Sequence, residues 1–358
     1  MVSIEVMINL MDLTHEQLRS ALEESGWPPY AATQIFDWLY KKGCRRPDQM
    51  TNLSRERREE LLERFILEVL EPVETRESAD GTRKHLFPAG RGRDGSVECV
   101  FIPDGDRGTL CISSQVGCRR GCGFCATGVM GFAGNLSAGQ IVSQYLSVPE
   151  REQVTNIVFM GMGEPLDNLE NVLGAIRNLT DPKALGLSSR RITLSTVGIH
   201  PHVSRVIRET DVHIAISLHS PFPEQRRLIV PAEIRNPVSE TIREIREAQD
   251  NGLLRRDRKV SFEYTLLDGF NDTPDHARAL ARLLAEMRCR INLIPFNPFP
   301  EANFRRSPDQ TVDAFRRILI DRGLRATVRR SRGQDIEAAC GLLATRSTIR
   351  QKARTTGS

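Results

Sequence analysis

Four of the chain's eight cysteines lie in one short segment, CISSQVGCRRGCGFC. Three of them, Cys118, Cys122 and Cys125, have the spacing CxxxCxxC. Structural zinc usually takes four protein ligands, often as two separated CxxC pairs, and the sequence contains no second pair. The spacing therefore favours a four-iron cluster that three thiolates hold and that leaves one iron open. Zinc completed by Cys111 is the alternative that the residues leave open.

The segments that must position these cysteines begin near Thr109. Short β-rich apolar runs alternate there with helix-like segments, which predicts a parallel sheet, open or closed into a barrel. Chemistry in such folds gathers at the carboxyl ends of the strands. The Gly and polar residues after the predicted strands are therefore candidate site residues: Gly161–Pro165, Ser195, Thr196, Ser217–His219 and Asn297.

The first part of the chain predicts a small helical module. Thr14 and Gln17 form a capping box ahead of one helix, and Ser54 is placed to cap another. We expect four regions: a helical accessory domain (1–66), a linker with a short β segment (67–108), a barrel core (109–330) and a C-terminal extension (331–358).

Composition and charge limit the classes of protein. Hydrophobic residues make up 39% and charged residues 27% of the chain, as in soluble globular proteins. The sequence shows neither a membrane-length apolar run nor a signal peptide, so we expect a cytoplasmic protein without a membrane partner, whose clustered cysteines bind metal or react. Residues 322–358 carry nine Lys/Arg against two acidic residues, and several Arg doublets recur elsewhere. These features are typical of a surface that binds nucleic acid. The alternative is a solvated surface with a frayed basic tail.

The order of the motifs carries a resemblance to a known family. The CxxxCxxC block followed by GMGEP resembles the radical S-adenosylmethionine (SAM) superfamily. More narrowly, the chain resembles the dual-specificity adenine-C2 methyltransferases of 23S rRNA and tRNA over nearly its whole length. The resemblance implies an α/β fold, a partial (β/α)6 radical-SAM barrel with an N-terminal helical accessory domain. The blocks that carry it are CISSQVGC, VFMGMGEPL, RRITLSTVG, AISLHSP, INLIPFNPF and RGQDIEAACG, with YAATQIFDWLYKKG and MTNLS near the N-terminus.

The resemblance also implies a set of site residues. Cys118, Cys122 and Cys125 would hold one [4Fe-4S] cluster, and SAM would be used twice per turnover. The implied catalytic residues are Cys340, Cys111 and Glu98. Without the resemblance, the alternation of residues in this strand would predict that the Glu98 side chain faces outward. The implied SAM contacts are Gly163, Glu164, Ser195, Ser217, Leu218, His219 and Asn297.

The implied mechanism gives each catalytic residue a role. Cys340 takes a methyl group from one SAM, and Arg329, Arg330 and Arg332 lie close enough in sequence to favour its thiolate. A second SAM supplies a radical that activates this methyl group for addition to C2 of adenine. Glu98 then accepts the C2 proton, and Cys111 attacks Cys340, forming a transient disulfide that releases the base.

The implied partners are 23S rRNA, tRNA and an unidentified electron donor, and we expect a monomer. Two alternatives stay open at this stage. The first is methylation at C8 of the same rRNA adenine, the activity of a sister family that confers antibiotic resistance. The second is a zinc-stabilised RNA-binding protein without catalysis.

Overall fold

A computed structural model describes residues 7–89 and 95–344 of the chain. The basic tail from residue 345 onward lies outside this range. The N-terminal module contains three helices and a two-stranded parallel sheet, and the predicted caps at Thr14 and Ser54 are confirmed. Its elements are β1 (Ile8–Asn9), α1 (His15–Glu23), α2 (Ala31–Phe36), α3 (Arg55–Arg64) and β2 (Phe65–Ile66).

The module is fastened to the rest of the protein by buried polar contacts. The Asn178 amide donates to the Tyr40 hydroxyl at 2.9 Å and to the Leu13 carbonyl at 3.1 Å. The Asp12 carboxylate accepts from the Gly139 N–H at 2.8 Å.

Ten strands form the main sheet, and two more make a hairpin beside it. The strands are β3 (Glu74–Glu77), β4 (Arg83–Pro88), β5 (Ser96–Asp104), β6 (Arg107–Cys111), β7 (Gln115–Gly117), β8 (Phe132–Asn135), β9 (Asn156–Phe159), β10 (Ile192–Thr196), β11 (His213–Ser217), β12 (Val260–Leu266), β13 (Arg290–Pro295) and β14 (Arg325–Val328).

The predicted parallel sheet is confirmed. Strands β6 and β9 to β14 run parallel in that spatial order. Each of the first six is followed by a helix, which gives the six strand–helix units that the resemblance implied, and β14 adds a seventh strand. Among the described strands, the two ends of the sheet do not pair with each other, which leaves the barrel open.

The helices of the core connect successive parallel strands and pack apolar faces on the sheet. The helix-like segments that the sequence places between the strands are present as helices, for example within 169–179, 238–249, 276–287 and 311–323. The helices are α4 (Ala126–Met130), α5 (Ala138–Ser147), α6 (Leu169–Thr180), α7 (His202–Glu209), α8 (Pro223–Ile229), α9 (Val238–Asp250), α10 (Pro274–Leu283) and α11 (Asp309–Asp321).

Residues 67–108 differ from the expected linker. They contain β3, β4 and β5, which extend the main sheet antiparallel beyond β6. All four residues of β3 are exposed, and β4 carries charged residues, so neither gives a clear apolar alternation. The strand that carries Glu98 is therefore an integral part of the main sheet.

Candidate active site

The three cysteines of the CxxxCxxC segment lie in the loop between β7 and α4. The Cys118 N–H donates to the Gly131 carbonyl at 2.9 Å, which closes the base of the loop. Gly117 (φ +72°) is required there, because a Cβ atom would lie 1.8 Å from that same carbonyl oxygen. At the other end of the loop, Cys125 is the N-cap residue of α4.

The three sulfurs face one cavity of about 170 Å³, which we call the upper cavity. Burial raises the pKa of all three thiols, that of Cys118 to about 12. Neighbouring cysteines of the triad add to the shift at Cys118 and Cys122, and Cys340 adds to it at Cys125. Besides the cysteines, the upper cavity is lined by residues at the carboxyl ends of the strands, among them Gly163, Glu164, Ser195, Thr196, Ser217, His219, Glu263, Thr265, Asn297, Arg329 and Cys340.

The structure thus brings together most of the residues expected to contact SAM. Leu218 is the exception, because its side chain is fully buried and does not line the upper cavity. Its backbone N–H donates to the Glu263 carbonyl at 3.0 Å, and its carbonyl accepts from Arg226 at 2.8 Å.

Glu164 is fixed in the wall of the upper cavity. One carboxylate oxygen accepts from the Leu166 N–H at 3.0 Å and the other from the Val197 N–H at 2.9 Å. Burial raises the pKa of this carboxyl, and these hydrogen bonds oppose the shift. The preceding Gly163 (φ +102°) lies against Gln115, whose side chain would be 2.6 Å from an added Cβ atom.

His219 connects the strand ends to the cysteine loop. Its ring packs on Phe124 with a centroid separation of 4.6 Å, and its Nδ1 accepts from the Thr265 N–H at 3.0 Å. Burial, with a smaller contribution from Arg226, lowers the pKa of His219 to about 3. The ring is therefore neutral at physiological pH, with its proton on Nε2.

Cys111 and Cys340 face a second cavity of about 780 Å³, which we call the lumen. It extends from Asn156 and Arg290 at the strand starts to Met160 and Ile294 near the strand ends. Cys111, at the end of β6, is buried, and Cys340 is exposed. Burial and the nearby Cys340 raise the pKa of the Cys111 thiol to about 12. All eight cysteines, which lie in the described ranges, are free thiols.

Arg329 interacts with both thiols. Its side chain donates a hydrogen bond to Cys340 and interacts electrostatically with Cys111. Glu263 pairs with the guanidinium at 3.3 Å and is itself held by Ser261 and Asn292 at 2.9 and 2.8 Å. Of the three arginines expected near Cys340, Arg329 is the one that the structure records in contact with it.

The segment that carries Cys340 is attached to the barrel at several points. Asn297 donates from its side chain to the Cys340 carbonyl at 3.0 Å, and the Ala126 N–H donates to the Gly341 carbonyl at 2.8 Å. The Thr127 hydroxyl donates to the Leu343 carbonyl. Cys340 is therefore held against the cysteine loop.

Glu98 is buried and does not face solvent. Its carboxylate pairs with Lys84 at 3.0 Å and accepts from the Ala344 N–H at 3.0 Å. Burial raises the pKa of Glu98, and the Lys84 ammonium opposes the shift. Glu98 lines neither the upper cavity nor the lumen. In this structure it anchors the end of the segment that carries Cys340.

Arg226 is a site residue that sequence reasoning missed, because its doublet with Arg227 resembles a surface patch. Its side chain is fully buried and forms an ion pair with Glu233. The guanidinium donates to the carbonyls of Val197, Ser217 and Leu218 at 2.8–2.9 Å. It thereby joins the ends of β10 and β11 beneath the upper cavity. Hydropathy offers no signal for such a residue.

The donor set of the cysteine loop fits an iron–sulfur cluster. Three thiols with raised pKa values border one cavity, and a metal's positive charge favours the thiolate form that binds it. Among the described residues, no three His, Cys, Asp or Glu side chains converge on a single ion position. A four-iron cluster does not require such convergence, since each cysteine binds a different iron.

The fold and the cysteine loop define a radical SAM enzyme. Residues 112–284 match the model of the Radical SAM superfamily, and residues 8–67 match that of the ribosomal RNA large subunit methyltransferase N-terminal domain. A crystal structure of a radical SAM methyltransferase from Sphaerobacter thermophilus superimposes with a TM-score of 0.85 and 42% identity, covering 94% of this chain and 99% of that one.

Curated relatives narrow the class to a family. The probable dual-specificity RNA methyltransferase RlmN of Porphyromonas gingivalis is 45% identical over 95% of both chains. The dual-specificity RNA methyltransferase RlmN of Alkalilimnicola ehrlichii is 43% identical over 94% of this chain and 93% of its own length. The chain belongs to the RlmN family of radical SAM RNA methyltransferases.

Membership of this superfamily implies a [4Fe-4S] cluster and SAM. In the described part of the chain, no helix combines the length and the apolar composition that crossing a membrane requires.

Proposed function

We propose that this protein methylates C2 of adenosine in 23S rRNA and in tRNA, and that the methyl group passes through a thioether on Cys340. The observation that carries the proposal is the arrangement of the two cysteines. Cys340 borders both the upper cavity and the lumen, whereas Cys111 borders the lumen alone. One thiol thus has access to SAM, and both have access to the cavity proposed for the target base.

The environments of the two thiols assign their roles. Cys340 is exposed and its sulfur accepts a hydrogen bond from the Arg329 guanidinium, so the sulfur is accessible to the SAM methyl group and is held in place by a cation. Cys111 is buried with a pKa of about 12, so it stays protonated and does not compete for that methyl group. We assign the methyl-carrying role to Cys340 and the resolving role to Cys111.

Cys118, Cys122 and Cys125 would hold the cluster in the upper cavity, with Gly163, Glu164, Ser195, Ser217, His219, Asn297 and the backbone of Leu218 around SAM. When bound, the cluster and SAM supply the radical chemistry that activates the methyl group carried by Cys340. The fixed Glu164 carboxylate keeps acceptor capacity for the SAM ammonium group. The neutral His219 has a donor at Nε2 and none at Nδ1.

Release of the product requires a proton acceptor and a thiol. We propose that Glu98 accepts the C2 proton of the RNA adduct. Burial raises the pKa of this carboxyl group, which favours its role as a proton acceptor. The Cys111 thiol then loses its proton and its sulfur attacks that of Cys340, so that an S–S bond forms as the S–C bond to the base breaks. The released carbon keeps the electron pair of that bond and takes up a proton, which makes it the methyl group of the product. Because Glu98 is held by Lys84 and Ala344, this step requires the segment after Cys340 to move.

The matched families support the two substrates. The N-terminal module matches a ribosomal RNA methyltransferase domain, and the relatives carry the name dual-specificity RNA methyltransferase. Motifs such as INLIPFNPF and RGQDIEAACG favour C2 over C8 by resemblance. We further propose that the protein acts in the cytoplasm as a monomer and takes electrons from a separate donor.

Nucleoside mass spectrometry tests the proposal. The reconstituted protein reacts anaerobically with SAM, a reductant and unmodified 23S rRNA or tRNA transcripts. We expect a product that co-elutes with 2-methyladenosine from both RNAs. Co-elution with 8-methyladenosine would contradict the regiochemistry alone. A protein with an intact cluster that yields no methylated adenosine would contradict the substrate assignment.

A further inference from the structure

The base of the barrel, at the strand starts, is unusually basic. A cleft of about 350 Å³ opens there beside β12, β13 and β14, at the opposite end of the strands from the upper cavity. Seven of its thirteen lining residues are Arg or Lys, and none is acidic. The cationic residues are Arg255, Arg256, Arg258, Lys259, Arg288, Arg290 and Arg325.

Three of these cations already have structural partners. Arg258 is buried and donates to the carbonyls of Val206, Ile207 and Val212. Arg255 pairs with Asp211 at 2.9 Å. Arg288 donates to the Leu254 carbonyl at 2.9 Å. These three side chains stabilise the base of the barrel and are not free to bind a ligand.

The other four cations have no recorded partner within residues 7–89 and 95–344. Arg256, Lys259, Arg290 and Arg325 are exposed, and none forms an ion pair or a side-chain hydrogen bond with a described residue. Arg290 and Arg325 are register partners on neighbouring strands, so their backbones lie about 4.8 Å apart. Like charges placed side by side destabilise a sheet unless an anion separates them.

The basic surface continues into the lumen. Lys259 and Arg290 line both the cleft and the lumen, and Arg107 lines the lumen from β6 on the far side of the open barrel. Arg107 likewise has no recorded side-chain partner in the described ranges. The unpaired cations are thus spread over two joined cavities and do not converge on one point. This distribution suits a chain of phosphates better than a single small anion.

We propose that Arg107, Arg256, Lys259, Arg290 and Arg325 form a backbone-binding track for the part of the RNA that lies outside the target nucleotide. The inference rests on the proposed function, because it assumes an RNA substrate. Phosphate contacts of this kind fix the position of an RNA without reading its sequence, which suits an enzyme with two different RNA substrates.

An acidic electron-transfer protein would be the competing partner. Its redox group would have to approach the cluster cysteines, which border the upper cavity together with Thr265 at the other end of β12. Six residues of extended chain separate Lys259 from Thr265, or about 20 Å. The position of the track therefore favours RNA.

A charge-matched comparison of variants tests the track. One variant carries Lys259→Gln, Arg290→Gln and Arg325→Gln. The control carries Arg205→Gln, Arg243→Gln and Arg278→Gln, which remove the same charge from α7, α9 and α10, where each arginine is paired with an acidic residue. Both holoenzymes are titrated anaerobically with a full-length tRNA transcript and with a short hairpin containing the target adenosine, over a range of salt concentrations.

We expect the track variant to bind full-length tRNA at least about ten-fold more weakly than the control at low salt. The salt slope of its affinity should be smaller by about 2 to 3, since each phosphate contact contributes about 0.7 to 0.9. Its loss of affinity for the hairpin should be clearly smaller, because the hairpin lacks the RNA that would reach the cleft. Arg325→Glu alone, at an exposed edge-strand position, should weaken binding of full-length tRNA in the same direction.

Three results would overturn the track: equal binding by the track variant and the control, an equal loss on the hairpin, or normal RNA binding with slower cluster reduction by an acidic electron-transfer protein. Methyl transfer from SAM to Cys340 without RNA is measured in parallel and should be unchanged in both variants. If the wild-type protein carries no methyl group on Cys340, the proposed function fails while the binding comparison still decides the track.

Discussion

Asn297 joins the proposed SAM cavity to the segment that carries Cys340. Its amide nitrogen donates to the Cys340 carbonyl at 3.0 Å. Its amide oxygen accepts from Ser331 at 2.8 Å and from Gln334 at 2.7 Å. One side chain following β13 thus holds the proposed methyl carrier against the cavity proposed for SAM.

Replacing Asn297 by Asp should slow the methylation of Cys340. The substitution keeps the size and the acceptor oxygen but removes the donor, and it places a carboxylate beside the Cys340 carbonyl. We expect a loss on the order of ten-fold in the rate of SAM-dependent mass gain at Cys340, measured without RNA. Ser331→Ala removes one donor to Asn297 and should change the rate by less than about three-fold. An Asn297→Asp protein that methylates Cys340 at the wild-type rate would contradict this positioning role.

Substitution of each of the two proposed catalytic cysteines should stop the reaction at a different stage. Cys111→Ala leaves the methyl carrier intact but removes the resolving thiol, so a covalent protein–RNA adduct should accumulate. Cys340→Ala removes the carrier and should give neither adduct nor methylated RNA. Denaturing gels with and without RNase measure the adduct. A Cys111→Ala reaction without an RNase-sensitive upshift would argue against the resolving role.

Resolution of the adduct should accelerate with pH. Burial is the main cause of the raised pKa of Cys111, about 12, and it persists when Cys340 is alkylated. Because a raised pKa keeps the thiol protonated, its thiolate fraction grows about ten-fold per pH unit well below that pKa. We expect the decay of the wild-type adduct to accelerate by about ten-fold for each pH unit between pH 7 and 9, as measured by quenched-flow gels. A rate that levels off below pH 8 would indicate a thiolate stabilised by other means.

The substitution Glu98→Gln distinguishes two possible roles of Glu98, that of a proton acceptor and that of a structural anchor. Glutamine keeps an oxygen for the Ala344 N–H but cannot accept the C2 proton. We expect normal methylation of Cys340 and an accumulated RNA adduct, as in Cys111→Ala. If Cys340 is instead no longer methylated, Glu98 acts by holding the segment in place. Unchanged yields of methylated RNA would exclude both roles.

The Arg226–Arg227 doublet offers a matched test of stability. Arg226→Met leaves Glu233 buried and unpaired, which should lower the free energy of unfolding by about 3–5 kcal/mol. Arg227→Met removes an exposed pair with Glu224 and should cost less than about 0.5 kcal/mol. Urea denaturation of the cluster-free proteins measures both. Similar losses for the two variants would contradict the bridging role of Arg226.

The periodic parts of the fold could be predicted from the sequence. The seven parallel strands and the predicted core helices follow apolar runs and amphipathic patterns that local physical chemistry determines. Strand β3 was beyond prediction, because all its residues are exposed and its pairing depends on β4. Tertiary pairing rather than local pattern decides such a strand.

Part of the site could be predicted from the sequence, namely the residues whose role depends on their spacing or on their position at a strand end. These residues are the cysteine triad and the polar residues at the strand ends, and the structure places them around one cavity. The buried positions of Arg226 and Glu98 depend on partners distant in sequence, namely the carbonyls of two strand ends and the Ala344 N–H. No local pattern encodes those contacts.

Labelling with methyl-deuterated SAM tests the central claim most directly. The reconstituted protein reacts with labelled SAM in the absence of RNA, and its peptides are analysed by mass spectrometry. The account predicts one labelled methyl group on the peptide that contains Cys340 and none on the peptide that contains Cys111. Label on Cys111, or labelled RNA made by a protein whose Cys340 is never methylated, would contradict it.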